Sequence, residues 1–472
     1  MAAATRSHPD LLASSSPGPG EVVADHQALP YIPDDLILAI LRRLPAKSVL
    51  RFRCVSKAWL AMLSSRSFVD AHLEFSAAAR PTMLIVPGKY HLLDPRRLRT
   101  AFWMGFYKYT SGGADTELLH GERFPGGVAS WFKPMHCDGL ILVYTRHQEL
   151  MVCNPATREF VQLLRETERD CLSCLHDAVG FGRDPRSNTY KVVRLFYSSE
   201  HGGGLVNVFS CRAEVLTLGT NQQWRRVATP PRLFNPHPAP VHVSGFIYWS
   251  DVSDPNNLVL LRFNLATETF AATPYPPCKL PGHACLAEWE GELCCFWVPA
   301  PAELAEIWTC DGKADAPTWT RRISVRLPTD TITPGLAYAQ GPPTVTFHGK
   351  DMLLRGCRKL YRYSVETEEM KRVAVAVEDL KYDRPVDSDY LQKISGEKVE
   401  ATAFHVVNYA ESLVRIRGSS TDTLKPRAFS VWLRIFLCIQ SLITRHGWAK
   451  STICWIVLIS CLIIAFLSYR NI

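Results

Sequence analysis

The sequence predicts an α+β, multi-domain chain: a three-helix N-terminal unit, an all-β, propeller-like domain of about six blades, and a C-terminal transmembrane helix. Three observations carry that expectation. Leu36, Ile37, Ile40, Leu41 and Leu44 recur at helical spacing and form an apolar stripe. From about residue 81 to 417 the pattern changes to short alternating apolar runs broken by Gly, Pro, Asn and Asp, with turn sequences that recur. Residues 451–469 then run without a charge, about 19 residues or roughly 28 Å of helix, enough to cross the hydrocarbon of a bilayer.

Taken in order, residues 1–28 are rich in Ala, Ser, Pro and Gly, lack the apolar core of a secretory leader, and read as a disordered arm. The helical unit spans 29–75. Pro33 suits a first turn, Asp34 and Asp35 complement the positive end of the helix dipole, and Pro45 stops the helix. A second short helix follows over 47–53. Ser56 is a candidate N-cap for a third, with Trp59, Leu60 and Leu63 turned inward. A three-helix unit of about 45 residues buries little surface and is expected to lean on a partner.

Residues 76–80 read as a connection. Beyond it, 140–144, 190–196, 214–218, 241–249, 258–263, 306–309 and 360–363 read as strands. Asn154-Pro155-Ala156-Thr157-Arg158-Glu159-Phe160 aligns with Asn264-Leu265-Ala266-Thr267-Glu268-Thr269-Phe270 and, more loosely, with Ser364-Val365-Glu366-Thr367-Glu368-Glu369-Met370. Each stands between two strands and is expected to be a hairpin turn. Hairpins of another kind close on a Trp, from Leu216 to Trp224 and from Trp308 to Trp319, and an earlier one lies around 99–119. Spacing of roughly 40–70 residues between hairpins is near that of propeller blades, and a large β-sandwich is the alternative.

Residues 418–450 read as a basic, amphipathic linker, within which 428–444 is an interfacial helix or a poor second span. Lys425, Arg427, Arg434, Arg445 and Lys450 precede the 451–469 span and only Arg470 follows, which places the bulk of the chain on the cytosolic face of a membrane as a tail-anchored protein. Without insertion, the cytoplasm or nucleus is expected.

The formal charge of +8 is uneven. It concentrates in 29–73 and 420–472, leaving the middle near neutral, so no nucleic-acid face is expected. Fifteen cysteines follow no framework, which favours a reducing environment. Cys171-Leu172-Ser173-Cys174 with His176 has half of a zinc pattern and no matching second pair, and reads as loop thiols; Cys294 and Cys295 read as a buried strand pair. His201-Gly202-Gly203-Gly204 lacks a companion G-x-S-x-G elbow and reads as a surface turn. Phosphate loops, H-E-x-x-H and dinucleotide fingerprints do not occur, so neither catalysis nor a cofactor is expected.

The helical unit closely resembles the F-box. Leu29-Pro30, Asp35-Leu36, Ile40-Leu41-Arg42-Arg43-Leu44-Pro45, Lys47-Ser48, Arg51-Phe52-Arg53-Cys54-Val55-Ser56-Lys57, Trp59 and Phe68 fall in that family's order and spacing. Ala39 stands where an acidic residue is common and Ser67 where Pro is usual; neither change removes an apolar anchor. The β region resembles the F-box-associated domain of plant F-box families, through Cys137-Asp138-Gly139-Leu140, Asn154 to Arg158, Gly180-Phe181-Gly182 with Asp184-Pro185, Tyr190-Lys191-Val192-Val193, Gly245 with Tyr248-Trp249, and Glu411-Ser412-Leu413.

The resemblance implies docking on a Skp-type adaptor, and through it a cullin ubiquitin ligase, by Leu29, Pro30, Leu36, Ile40, Leu41, Leu44, Pro45 and Val55. It also implies that the β domain holds an unidentified protein target. The expected function is therefore the substrate-recognition subunit of a ubiquitin ligase. The alternatives are an adaptor-independent, membrane-anchored interaction module and a propeller enzyme with titratable groups converging on its channel.

Overall fold

The computed structural model describes residues 33–79, 82–89, 101–110, 116–125, 133–145, 149–163, 178–200, 208–219, 223–231, 239–251, 258–278, 282–299, 304–311, 317–328, 344–355, 360–373 and 402–416. Four helices come first. Helix α1 (Asp34–Leu41) starts behind Pro33, with Asp34 and Asp35 in its first turn. Helix α2 (Ala46–Phe52) starts behind Pro45. Helix α3 (Lys57–Ser64) is capped by Ser56, whose Oγ accepts from the Trp59 amide at 3.1 Å.

Helix α4 (Arg66–Ala79) corrects the expectation of three helices, and it takes in most of the stretch read as a connection. Its inward residues Phe68, Val69, His72, Leu73 and Ser76 keep helical spacing, but His72, Ser76 and the alanines around them dilute the apolar signal. His72 is only 1% exposed, and its Nε2 donates to the Leu44 carbonyl at 2.9 Å, tying α4 to the end of α1.

The strands follow in runs: β1 (Thr82–Lys89), β2 (Ala101–Thr110) and β3 (Thr116–Pro125); β4 (Met135–Cys137), β5 (Leu140–Tyr144), β6 (Leu150–Asn154) and β7 (Glu159–Leu163); β8 (Ala178–Asp184), β9 (Thr189–Glu200), β10 (Val208–Thr217) and β11 (Arg225–Val227). Then come β12 (Val241–Val243), β13 (Phe246–Asp251), β14 (Val259–Asn264) and β15 (Thr269–Pro274); β16 (Gly282–Trp289), β17 (Glu292–Pro299), β18 (Leu304–Cys310) and β19 (Thr320–Arg326); β20 (Thr344–His348), β21 (Asp351–Arg355), β22 (Leu360–Ser364) and β23 (Met370–Val373). Strand β24 (Thr402–Tyr409) returns to pair antiparallel with β1, from Thr82 opposite Tyr409 to Lys89 opposite Thr402.

These strands make six four-stranded antiparallel sheets. Their first strands β4, β8, β12, β16 and β20 touch in succession, and β24 touches both β20 and β4, so the sheets close into a ring. That is propeller architecture, with β24 supplying the inner strand of the blade that β1, β2 and β3 begin.

The turns follow from sequence. Asp138-Gly139, Ser244-Gly245 and Glu290-Gly291 have positive φ at both residues, the two-residue hairpin geometry that suits twisted strands. The recurring Asn turns are hairpins as expected, joining β6 to β7, β14 to β15 and, in the Ser364 version, β22 to β23. Asn154 Oδ1 accepts from the amides of Ala156 at 3.0 Å and Thr157 at 3.3 Å; Asn264 does the same for Ala266 at 2.8 Å and Thr267 at 3.2 Å. The Trp-closed hairpins are β10–β11 and β18–β19.

In an antiparallel blade the first and third turns lie at one end. Helix α4 enters β1 at that end, and Tyr409 leaves β24 there. The helices accordingly pack on it: Leu41, Val49, Leu63 and Phe68 share one core with Leu142, Val152, Phe181 and Leu413. No helix among the described residues is long and apolar enough to cross a membrane. Among the described residues the fold class is therefore corrected to a four-helix unit on a ring of β-sheets with no membrane-spanning helix, and the expected span over 451–469 and the 418–450 linker lie outside those residues.

Candidate docking face on the helical unit

Helix α1 is apolar on more than one side. Leu36 and Ile40, four residues apart, lie one above the other and are 56% and 55% exposed. Leu41, a hundred degrees round the helix from Ile40, is 3% exposed and belongs to the core shared with the β-ring. Leu44 is half-buried against the same core. What reads in sequence as one stripe is therefore two, one inward and one facing solvent. Val55, in the turn after α2, is 60% exposed, and Pro45 is exposed as well. Leu29 and Pro30 lie outside the described residues.

Two further apolar residues were not among the expected contacts. Leu60, expected to point inward, is 48% exposed, and Phe52 stands at 36% with its ring edge-on to Trp59, centroids 5.9 Å apart. Their exposure is unusual for large apolar side chains on one small helical unit. Arg42, Arg43, Lys47, Arg51 and Lys57 are exposed around them. Covering one such side chain contributes about 1–2 kcal/mol by apolar area, so a handful supplies a specific contact.

Behind this face a short segment after β24 joins the helices to the ring. Asn154 Nδ2 donates to the carbonyls of Ser412 and Val414, and Glu159 accepts from the Ile416 amide at 3.0 Å. Leu413 and Ile416 are buried in the shared core. Glu411 Oε2 accepts from the Ala46 amide at 3.0 Å, and its Oε1 from Lys108 Nζ at 2.7 Å. The sequence marks Glu411-Ser412-Leu413 only as a family resemblance; nothing local shows that the carboxylate reaches a helix.

The inner end of the ring carries titratable groups, as a propeller enzyme would. Asp138 Oδ2 accepts from Arg183 Nη1 and Tyr190 Oη, both at 3.0 Å, and His136 Nε2 accepts from the Gly139 amide at 2.9 Å. His242 Nδ1 lies 3.9 Å from Cys137 Sγ. Burial lowers both imidazoles to about 4 and pushes the Cys137 thiol well up, so all three are neutral near pH 7. The group links the second, third and fourth blades; Asp138, Arg183 and Tyr190 bond one another, whereas His242 Nε2 is buried without a hydrogen-bond partner. No cluster of three or more His, Cys, Asp or Glu able to hold a metal occurs among the described residues. Cys294 and Cys295 are fully buried, as expected for a strand pair. Residues 171–176 and 201–204 lie outside the described part.

The fold defines a two-module protein, a helical unit with an exposed apolar face fixed to a β-propeller. The F-box domain matches residues 29–70, and the F-box associated beta propeller domain matches residues 118–416. The chain belongs to the F-box proteins that carry this propeller.

Its relatives include an F-box protein of Arabidopsis thaliana that is 29% identical over 307 residues, covering 60% of this chain and 87% of the relative. F-box only protein 8 of Arabidopsis thaliana is 30% identical over 254 residues, covering 52% and 80%. Another Arabidopsis F-box protein is 30% identical over 256 residues, a match taking in 52% of this chain and 61% of that relative, less than two thirds of its length. Among solved structures, oligogalacturonate lyase in complex with manganese matches at 11% identity and a TM-score of 0.37, covering 63% of this chain and 82% of the other. Likeness at that level has no bearing on what this chain does.

Proposed function

We propose that the chain is the substrate-recognition subunit of a Skp-cullin-F-box ubiquitin ligase. The observation that carries this reading is the solvent-facing apolar set Leu36, Ile40, Val55 and Leu60 on a unit whose other face is already sealed against its own propeller. A Skp-type adaptor covers that set by helix-on-helix contact. The propeller end opposite the helices, which no described helix covers, takes a protein target in this reading. The chain itself performs no bond chemistry: holding a target near a ubiquitin-charged enzyme raises effective concentration, and the transfer takes place on other subunits.

Capture of purified Skp-type adaptor by the full chain tests the reading. Wild-type protein captures it. An Ile40→Asp, Val55→Asp double variant, which alters exposed positions only, loses capture by at least about a hundredfold while keeping its thermal midpoint. Unchanged capture by that variant, or none by the wild type, overturns the assignment.

A further inference from the structure

We infer that Glu411 is a positioning residue: its carboxylate fixes helix α2, and with it the docking face, at a set orientation on the propeller. The N-cap of helix α2 is Pro45, which has no side-chain acceptor to offer, so the helix lacks a side-chain cap of its own. The missing acceptor comes from 365 residues away, where Glu411 Oε2 takes the Ala46 amide. The other oxygen takes Lys108 Nζ, from β2 in the first blade. One carboxylate thus bridges a helix, a blade and the segment that follows the ring-closing strand. The Lys108 and Glu411 side chains are 16% and 12% exposed, so the pair is shielded from solvent and stronger than a surface ion pair.

Glu411 cannot drift, because its own backbone segment is clamped. Asn154 holds the carbonyls on either side of Leu413, and Glu159 holds the Ile416 amide. A Cβ at Gly139 would stand 2.4 Å from Ser412 Cβ, so the β4–β5 turn presses on the same segment. A second polar tie, from Arg66 Nη2 to the Asn188 carbonyl at 3.0 Å, lies at the surface, with the Arg66 side chain 59% exposed. Of the two ties, the Glu411 one is shielded and doubly anchored. Its consequence for ubiquitin transfer rests on the function proposed above; its mechanical role does not.

The test uses the full chain with Glu411→Ala and Glu411→Gln. Amide hydrogen exchange over 46–52 is expected to quicken about tenfold in the Ala variant, the loss of one charge-assisted hydrogen bond. Strands β5, β6 and β13 keep their protection, and adaptor capture stays within about twofold. The Gln variant, which retains an acceptor for the Ala46 amide, recovers most of the slow exchange. In a reconstituted ligase, self-ubiquitination of the chain's own lysines slows several-fold in the Ala variant alone. Unchanged exchange over 46–52, or equal loss of protection throughout the ring with no rescue by Gln, overturns the inference. Failure of the wild type to capture adaptor sinks the ligase reading while the exchange data still judge Glu411.

Discussion

The Asn154 side-chain amide donates to the Val414 carbonyl at 2.9 Å, across 260 residues of sequence, and with its second N–H to Ser412 at 3.1 Å. The same side chain accepts from Ala156 and Thr157 to shape its own turn, and it is fully buried. Asn264 makes the matching turn bonds in its own blade. Asn154→Ala is therefore expected to cost about 2–4 kcal/mol, and Asn264→Ala about 1 kcal/mol. Urea denaturation of the two variants measures the difference; equal costs would show that the contact to 412–414 adds nothing.

Neighbouring residues on α1 separate core from surface. Leu41→Ala opens a cavity in the shared core and should cost about 2–4 kcal/mol, whereas Ile40→Ala should stay within about 0.5 kcal/mol. Thermal denaturation reads both. Adaptor capture should show the reverse order among variants that remain folded, with Ile40→Ala the weaker binder.

Gly139 adopts φ +80°, and an added Cβ would meet Ser412 Cβ at 2.4 Å and the Ala410 carbonyl oxygen at 2.7 Å. Gly139→Ala is expected to destabilise the chain by about 2–4 kcal/mol and to make the segment around 410–416 sensitive to protease before the blades open. Cleavage mapping checks the order. Resistance equal to wild type would mean the segment shifts at no cost.

Acid should weaken the fold in two steps. Burial, partly opposed by the Asp138 charge, holds His136 and His242 at about 4, below the ordinary 6.5. As pH falls from 6.5 to 4 the unfolded chain takes up protons that the native chain refuses, so stability declines, on the order of 2 kcal/mol for each histidine. Asp184 follows. Burial tends to raise its carboxyl, but hydrogen bonds from Ser187, Lys191 and the Arg186 amide, with the Lys191 charge, outweigh burial and hold it at about 2. Its contribution is complete above the ordinary carboxylate range and is lost as pH drops towards 2. Urea midpoints at pH 7, 5 and 4 test the first step, and a midpoint that does not move between 7 and 5 refutes it.

Local chemistry made some elements legible and distance hid others. The Asn154, Asn264 and Ser364 turns are legible because one short pattern recurs between strands, a signal contained in a few residues, and in the structure the Asn or Ser side chain closes each loop. Ser56 was legible as a cap for the same reason. Helix α4 is hidden in the sequence because small and polar residues weaken its stripe. Leu36 and Leu41 could not be told apart as outer and inner, since periodicity shows that a helix is apolar and not which flank is covered from elsewhere. Least legible of all were Glu411 and the pairing of β24 with β1: each is a relation between opposite ends of the domain, and neither end announces its partner.

The pairing of β24 with β1 sets a timetable for biosynthesis. A nascent chain that has emerged from the ribosome only as far as residue 400 still lacks the inner strand of its first blade, which leaves β1 with an open edge able to recruit foreign strands. The acceptor for Ala46 arrives later still, at residue 411. Although the helices are translated first, the last contacts that seat them, from Glu411 and Leu413, form only when almost the whole propeller exists. Products cut short before β24 would display the greasy α1 surface on an unfinished scaffold, a form that chaperones and proteases are suited to remove.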